Sequence, residues 1–251
     1  MKYRFQFILG CQRSGTTALV KLLNQIDGVI LGVERFKYCQ VPRNELFSPG
    51  HFFSPSLDET NLLMTDYYYE LKQKFEQQRI TVIGDKNPGY VKKIPAILEE
   101  FDNPKFLFTI RPLVEVAASY NYRAKRVRGS WPAKNDYRRA VRDWHVSLNN
   151  ARDLVSGGLL SPDNLFLVSY EDLWRGDVDY LSAIARFMGV ELSQSAVEAF
   201  SDMTKNWSRR REKSKPLGSS QTEYVEHKLD QHLWSWACAT AAEHRRLHAG
   251  V

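Results

Sequence analysis

The chain has 251 residues, of which 43% are hydrophobic and 25% are charged. These fractions are close to the average for globular proteins, and they exclude intrinsic disorder, a collagen-like repeat or a coiled coil as the main organisation. Lysine and arginine number 35 against 29 aspartates and glutamates, which gives a net charge of +6. An excess this small indicates attraction to anions in general and does not single out nucleic acid.

The cysteine pattern and the lengths of the apolar segments indicate the cellular compartment of the protein. Cys11, Cys39 and Cys238 are far apart and no C-x-x-C pair occurs, so we expect neither a disulfide framework nor a zinc site. No apolar run approaches the roughly 20 residues that cross a bilayer. Residues 1–10 lack the continuous apolar stretch of a signal peptide. We therefore expect a cytoplasmic protein without a transmembrane segment, folded as a single domain over residues 1–251.

Apolar runs typical of strands alternate with helical patterns along the chain. The predicted strands cover residues 3–9, 29–33, 80–83, 105–110 and 165–169. The predicted helices cover residues 17–25, 67–77, 91–101, 114–125, 136–155 and 178–188, with a further helical segment over 221–244. A loop-rich stretch follows the second strand up to about residue 59. The alternation predicts an α/β fold, a P-loop-like three-layer αβα arrangement with a central, mostly parallel sheet. Ligands of such sheets bind at the carboxyl ends of the strands.

The strongest motif follows the first predicted strand, where Gly10-Cys11-Gln12-Arg13-Ser14-Gly15-Thr16-Thr17 leads into a helix. Gly10 and Gly15 have the spacing of a P-loop, whose backbone N–H groups and helix N-terminus bind phosphate. Thr16 stands in place of the lysine that reaches the β- and γ-phosphates of a nucleoside triphosphate. The nearest candidate for a magnesium-binding carboxylate, Asp85, is followed by the competing cation of Lys86. The loop therefore indicates a smaller anion and little need for a metal.

Residues 11–19 resemble the loop with which sulfotransferases hold the 5′-phosphosulfate of 3′-phosphoadenylyl sulfate (PAPS). The resemblance is to the bacterial and glycan-directed members of that family. It implies PAPS as the donor, PAP as the product and no metal. The residues that it implies for binding the phosphosulfate are Arg13, Ser14, Gly15, Thr16 and Thr17.

Two later segments extend the resemblance over residues 5–173. Arg111 follows the fourth predicted strand and Ser119 lies eight residues on, as in the couple that holds the donor's 3′-phosphate in the family. A guanidinium fork with a hydroxyl suits a phosphate monoester. Tyr170 begins a Tyr-Glu-Asp-Leu segment after the fifth predicted strand. The resemblance places this tyrosine against the adenine.

The resemblance also suggests which groups carry the chemistry. The segment Asp85-Lys86-Asn87-Pro88 is similar to the Lys-Ser/Thr-Pro segment of the bacterial and glycan-directed members, in which the lysine faces the reacting centre. It lacks the histidine that is the general base in small-molecule cytosolic members. Glu34 ends the second predicted strand, where glycan-directed members place a catalytic glutamate, and is our candidate for the base. Arg13 stands where most members have a lysine and would contact the bridging oxygen.

Other interpretations of these residues remain open from sequence. His51 is a competing base because histidine titrates near neutral pH. Glu34 could instead pair with Arg35 or Lys37, and Lys86 with Asp85. In the family a late basic loop closes over the 3′-phosphate, and the candidates for it here are Arg209, Arg210, Arg211, Lys213 and Lys215.

Three functions follow from these motifs. The first is transfer of a sulfuryl group to a hydroxyl or amine acceptor, a carbohydrate or a small metabolite, without nucleic acid as a partner. The alternative enzyme is a P-loop kinase or nucleotide hydrolase that acts on ATP. The third is a non-catalytic nucleotide- or RNA-binding protein, against which the absence of a recognisable RNA-binding module counts. The oligomeric state is left open.

Overall fold

A computed structural model describes residues 3–60, 65–126, 131–212 and 216–250, with the backbone alone over 208–212. Its strands are β1 (Arg4–Gly10), β2 (Val29–Val33), β3 (Val82–Lys86), β4 (Lys105–Ile110) and β5 (Leu165–Ser169). They form a parallel sheet in the order β2-β3-β1-β4-β5. The predicted α/β fold with a central parallel sheet is therefore confirmed.

Helices connect the strands and pack on both faces of the sheet. They are α1 (Thr16–Leu23), α2 (Pro49–Phe53), α3 (Asp66–Gln77), α4 (Ile94–Glu100), α5 (Leu113–Ala124), α6 (Tyr137–Ser156), α7 (Tyr170–Leu173), α8 (Val178–Met188), α9 (Gln194–Glu212), α10 (Ser219–His227) and α11 (Gln231–His248). Two 3₁₀ helices cover Asn44–Phe47 and Pro88–Lys93. Within the described ranges, no helix combines the length and the apolar character that crossing a membrane requires.

The third strand lies later in the chain than the sequence predicts. It covers Val82–Lys86 and not 80–83, so Asp85 and Lys86 are strand residues. Glycine, aspartate and lysine have low strand propensity. Gly84, however, lies so close to β1 that a Cβ atom there would overlap the carbonyl group of Gln6. Only glycine permits this approach, and it brings the two polar residues after it into the sheet.

The helices differ from the prediction at three places. α2 lies in the stretch that was expected to be loop, and α9 lies in a region for which no helix was predicted. The predicted helical segment over 221–244 is two helices, because the Asp230 carboxylate accepts a hydrogen bond from the backbone N–H of Leu233 and begins α11. A five-residue helix is too short to show apolar periodicity, whereas α9 has an apolar stripe that the sequence analysis did not use, formed by Ala196, Phe200, Met203 and Trp207.

The two faces of β1 carry separate hydrophobic cores. Phe5, Phe7 and Leu9 pack on one face with an aromatic cluster that includes Phe47 from the 3₁₀ helix Asn44–Phe47. Ile8 packs on the other face with the buried side of α1 and with α8. Because protein cores are close-packed, the loops at the carboxyl edge of the sheet rest on a rigid base.

His244 of α11 makes the stability of the fold depend on pH. Its Nδ1 atom accepts a hydrogen bond from the backbone N–H of Leu167 in β5 at 3.0 Å. Burial, together with the nearby His248, lowers the pKa of His244 from 6.5 to about 4. The neutral ring is therefore favoured in the folded state, and its contribution is present above pH 6.5 and lost as the pH falls towards 4.

We expect the unfolding free energy to lose about 3 kcal/mol through His244 between pH 6.5 and 4. Chemical denaturation of the protein and of His244→Gln over this range measures the effect, since the variant should lack that part of the decline. His227→Gln, at an exposed position, is the matched control and should follow the original protein. Identical pH dependence in the protein and in His244→Gln would contradict the assignment.

Candidate active site

The loop after β1 has the backbone of an anion-binding turn. Gly10, Arg13 and Gly15 have positive φ angles of 137°, 69° and 99°. Gly15 immediately precedes α1, so the loop leads into the N-terminus of a helix, where unpaired N–H groups and the helix dipole favour negative charge. The P-loop-like geometry predicted from the spacing of the two glycines is therefore present.

The hydroxyl groups of the loop have different surroundings. Ser14 is buried, and its Oγ donates to the carbonyl oxygen of Cys11 at 2.7 Å and shares a 2.6 Å hydrogen bond with Oγ1 of Thr109. Thr16 is buried as well, whereas Thr17 is exposed. The Ser14 side chain thus connects the loop to Thr109 of β4. Thr109 is a site residue that the sequence analysis did not identify.

Glu34 and Lys86 form an ion pair at the carboxyl ends of two neighbouring strands. Val33 of β2 lies opposite Lys86 of β3 in the sheet register, and Lys86 Nζ donates to Glu34 Oε1 at 2.8 Å. The Lys86 side chain is 4% exposed and that of Glu34 is 35% exposed. The structure therefore pairs the two predicted catalytic residues with each other. The sequence had left open a pairing of Glu34 with Arg35 or Lys37, and of Lys86 with Asp85.

The backbone at Glu34 is strained. Its φ angle of 53° lies in the left-handed region, which costs a non-glycine residue roughly 1–2 kcal/mol. The backbone N–H of Glu34 donates to the carbonyl oxygen of Lys86 at 2.7 Å, a bond that holds this turn against β3. Strain of this kind occurs where a side chain must be presented in one direction. In this conformation one carboxylate oxygen of Glu34 contacts Lys86, and the Glu34 side chain remains partly exposed to solvent.

The loop and the predicted Arg111–Ser119 couple meet directly. Arg13 Nε donates to Ser119 Oγ at 3.1 Å, and Arg111 Nη1 donates to the carbonyl oxygen of Arg13 at 3.3 Å. Burial, and then the charges of Arg123 and Arg111, lower the pKa of Arg13. Arg111 and Arg123 therefore lie close enough to Arg13 for their charges to act on it, and Arg13 contacts the Ser119 hydroxyl. Arg123, one helical turn after Ser119 on α5, is a member of this cluster that the sequence analysis left among the undifferentiated basic residues.

Arg111 also has acidic neighbours. Its Nη2 donates to Glu115 at 3.1 Å, its Nε lies 3.6 Å from Glu171, and its guanidinium carbon lies 4.5 Å from the centre of the Tyr170 ring. Its carbonyl oxygen accepts a hydrogen bond from Trp144 at 2.9 Å. A phosphate bound by Arg111 would therefore have to replace part of its interaction with these carboxylates.

Tyr170 packs against the loop. A Cβ atom at Gly15 would overlap the Tyr170 ring, so the glycine and the ring fit together. Trp207 of α9 donates its indole N–H to the Tyr170 hydroxyl at 2.8 Å. Burial raises the pKa of Tyr170. The sequence analysis missed Trp207 because it did not predict α9, although the helical spacing of Phe200, Met203 and Trp207 places the tryptophan on the apolar side of a helix.

The remaining sequence candidates lie elsewhere or outside the described residues. His51 Nε2 is 2.7 Å from a carboxylate oxygen of Glu59, so its partner is Glu59 rather than the Glu34–Lys86 pair. Asp85 is fully buried and accepts hydrogen bonds from the backbone N–H of Arg35 and from the Tyr90 hydroxyl. Its carboxylate is thus committed within the protein and not directed to the loop. The candidates for the late basic loop have side chains outside the described part of the chain; they are Arg209, Arg210, Arg211, Lys213 and Lys215.

A parallel α/β sheet with an anion-binding loop at its carboxyl edge defines a P-loop-like protein. The sequence profile described as "Sulfotransferase family" matches residues 6–194. The chain therefore belongs to the sulfotransferase family, as its motifs suggested. No curated protein matches it with significant sequence similarity.

Solved structures of sulfotransferases share the fold. The sulfotransferase domain from the curacin biosynthetic pathway is 19% identical with a TM-score of 0.52, and the match covers 90% of this chain and 97% of that one. The sulfotransferase domain of the Synechococcus PCC 7002 olefin synthase is 21% identical with a TM-score of 0.52, covering 97% and 95% of the two chains. Sulfotransferase STF1 from Mycobacterium tuberculosis H37Rv is 18% identical with a TM-score of 0.54, covering 92% and 77%.

Proposed function

We propose that the protein transfers a sulfuryl group from PAPS to a hydroxyl or amine acceptor, a carbohydrate or a small metabolite. The contact between Arg13 and Ser119 carries this proposal, because it joins the phosphate loop to the Arg111–Ser119 couple. PAPS has a 5′-phosphosulfate and a 3′-phosphate, so its binding requires two anion sites that are no further apart than the length of one nucleotide. We further propose that residues 1–251 form one sulfotransferase domain and that the protein acts in the cytoplasm.

The residues around the loop fit such a donor. Backbone N–H groups of the loop and of the first turn of α1 would bind the 5′-phosphosulfate, with Ser14, Gly15, Thr16 and Thr17 forming the cradle. Arg111 and Ser119 would bind the 3′-phosphate, assisted by the neighbouring Arg123. Tyr170, which already packs on Gly15, would form one wall of the adenine site, with Trp207 behind it. When bound, PAPS supplies the sulfuryl group and PAP is the leaving group.

The Glu34–Lys86 pair provides the acid–base chemistry. Glu34 would accept the proton of the acceptor hydroxyl or amine through its partly exposed carboxylate. Lys86 and Arg13 would stabilise negative charge on the transferring group and on the oxygen that leaves. Lys86 contacts Glu34 and Arg13 contacts Ser119, so Arg13 would have to reach the sulfuryl group from the side of the loop. With these two cations supplying the stabilisation, we propose that the reaction proceeds without a metal ion.

Binding measurements separate this proposal from its alternatives. Calorimetry with PAP, with magnesium-ATP and with a short RNA should give tight binding of PAP that does not depend on magnesium. Magnesium-linked binding of ATP in preference to PAP would favour a kinase or nucleotide hydrolase. RNA binding that weakens steeply with salt, without PAP binding, would favour a nucleic-acid-binding protein.

The role of Arg111 can be tested by substitution. We expect Arg111→Ala to weaken PAP binding by about tenfold or more, because a hydrogen bond to a charged group contributes roughly 1.5–3 kcal/mol. Calorimetry measures the change. Arg175→Ala is the matched control, since this exposed arginine pairs with Asp172 outside the arginine cluster, and its PAP affinity should be unchanged. Unchanged PAP affinity in Arg111→Ala would show that this residue does not hold the 3′-phosphate.

The acceptor is best sought by its product. The purified protein would be incubated with PAPS and a panel of glycans, small alcohols and amines, and mass spectrometry would detect the gain of one SO₃. A reaction without the protein serves as the control for background transfer. A sulfated product that forms only with the original protein identifies the acceptor class.

A further inference from the structure

Asp85 lies beside Lys86 in β3 but on the opposite face of the sheet, because successive side chains of a strand alternate. Its carboxylate is fully buried. Oδ1 accepts the backbone N–H of Arg35 at 3.0 Å, and Oδ2 accepts the Tyr90 hydroxyl at 2.6 Å. Asp85 therefore connects the turn after β2 with the 3₁₀ helix after β3, the two segments that flank the Glu34–Lys86 pair.

Arg35, whose backbone N–H donates to Asp85, directly follows Glu34 and makes further contacts of its own. Arg35 is fully buried, its Nε donates to the carbonyl oxygen of Phe52 at 2.8 Å, and its guanidinium carbon lies 3.9 Å from the centre of the Tyr68 ring. Gly32 of β2 allows Asp85 to approach, since a Cβ atom there would be 2.8 Å from Asp85 Oδ1. The turn that contains Glu34 is thus anchored at its next residue on the far side of the sheet.

We propose that Asp85 is a positioning residue for the general base Glu34, an inference that rests on the function proposed above. By accepting the Arg35 N–H, Asp85 holds the turn in which Glu34 has its left-handed backbone and its carboxylate reaches Lys86. Without this acceptor the Arg35 N–H would lose its hydrogen bond to the carboxylate, and Glu34 would relax towards the right-handed or extended backbone conformations that residues with a side chain adopt at lower cost. Glu34 would then no longer face the acceptor.

The state of Asp85 supports a functional role. Burial raises its pKa to about 6, although hydrogen bonds from Arg35 and Tyr90 and the charge of Lys86 act to lower it. A buried carboxylate in such a setting is unfavourable for stability alone. An asparagine would be less costly, but it offers one acceptor where Arg35 and Tyr90 present two donors.

Three variants test the proposal by kinetics. Asp85→Ala removes both acceptors, and we expect kcat to fall about 10- to 100-fold, the range expected when a catalytic group is displaced by about 1 Å, while the Kd for PAP changes less than about twofold. Asp85→Asn keeps the acceptor for Arg35 and should recover a large part of kcat. In an Asp85→Ala/Glu34→Gln double variant kcat should equal that of Glu34→Gln. The assay uses PAPS with the acceptor from the product screen. Gln6→Leu is the control, because it replaces a buried polar residue near the amino end of β1, and this variant should keep the kcat of the original protein.

Several results would overturn the proposal. They are an unchanged kcat in Asp85→Ala, an equal further loss in the Glu34→Gln background, or a loss of PAP affinity that matches the loss of kcat. If Asp85→Ala does not fold, Asp85→Val also removes the acceptor of the Arg35 N–H and fills more of the buried volume, and an unchanged kcat in that variant contradicts the proposal equally.

A crystal structure of Asp85→Ala, or of Asp85→Val if that variant is needed, keeps this inference separate from the proposed function. The proposal expects the φ angle of Glu34 to leave the left-handed region and the Lys86–Glu34 contact to lengthen beyond 2.8 Å. A turn that stays unchanged would overturn it even if turnover were never detected. Failure of the original protein to bind PAP would overturn the proposed function instead.

Discussion

Glu34→Gln should reduce turnover by about 10²–10⁴-fold, the contribution usually made by a general base. Glutamine has the size of glutamate and can still accept a hydrogen bond from Lys86, but it cannot take a proton from the acceptor. PAP affinity should remain within about twofold, because the proposed nucleotide contacts come from the loop, α5 and Tyr170. Single-turnover assays with PAPS and calorimetry with PAP measure the two quantities.

His51→Gln is the matched comparison for this prediction. His51 is the other base that the sequence offers, and its imidazole contacts Glu59. We expect this variant to keep its turnover. Full activity in Glu34→Gln together with loss in His51→Gln would move the base to the histidine and refute the role of Glu34.

Gly15→Ala should abolish measurable PAP binding, a loss of about 100-fold or more in affinity. A methyl group at this position would overlap the Tyr170 ring, and the φ angle of 99° is one that residues with a side chain rarely adopt. Either the ring or the loop must move, and each movement removes several of the charge-assisted hydrogen bonds proposed for the 5′-phosphosulfate. Loss of two such bonds, at roughly 1.5–3 kcal/mol each, accounts for a change of at least about 100-fold.

Gly50→Ala is the matched control for that substitution. A Cβ atom at Gly50 would meet nothing within 4 Å, and the residue lies in α2, where alanine is favoured over glycine. PAP affinity and thermal stability should therefore be unchanged or slightly improved. If Gly15→Ala binds PAP as well as Gly50→Ala does, the loop does not hold the donor.

The sequence contains enough information for the sheet, because the strands are short apolar runs separated by helices. It also identifies the anion-binding loop, since Gly10 and Gly15 are needed for backbone conformations that other residues avoid. The pairing of Glu34 with Lys86 follows from both residues ending neighbouring parallel strands. It could be proposed only by assuming the order of those strands.

Contacts between distant segments could not be predicted. The Tyr170 ring meets Gly15 and Trp207 only once β5, α1 and α9 are assembled, and no local pattern shows that α9 lies beside the loop. The bond from Arg35 to Asp85 depends on where β3 ends, and the propensities of Gly84 and Asp85 argue against a strand there. Glu115 lies four residues after Arg111 and could be paired with it from sequence, but the contact of Arg111 with Glu171 depends on β4 and β5 lying side by side.

A crystal structure with PAP tests the central claim most directly. Our account predicts that the 5′-phosphate lies in the loop of residues 10–17 and that the 3′-phosphate contacts Arg111 and Ser119, with the adenine beside Tyr170. PAP bound in any other place, or bound with its 3′-phosphate away from Arg111 and Ser119, would contradict the account.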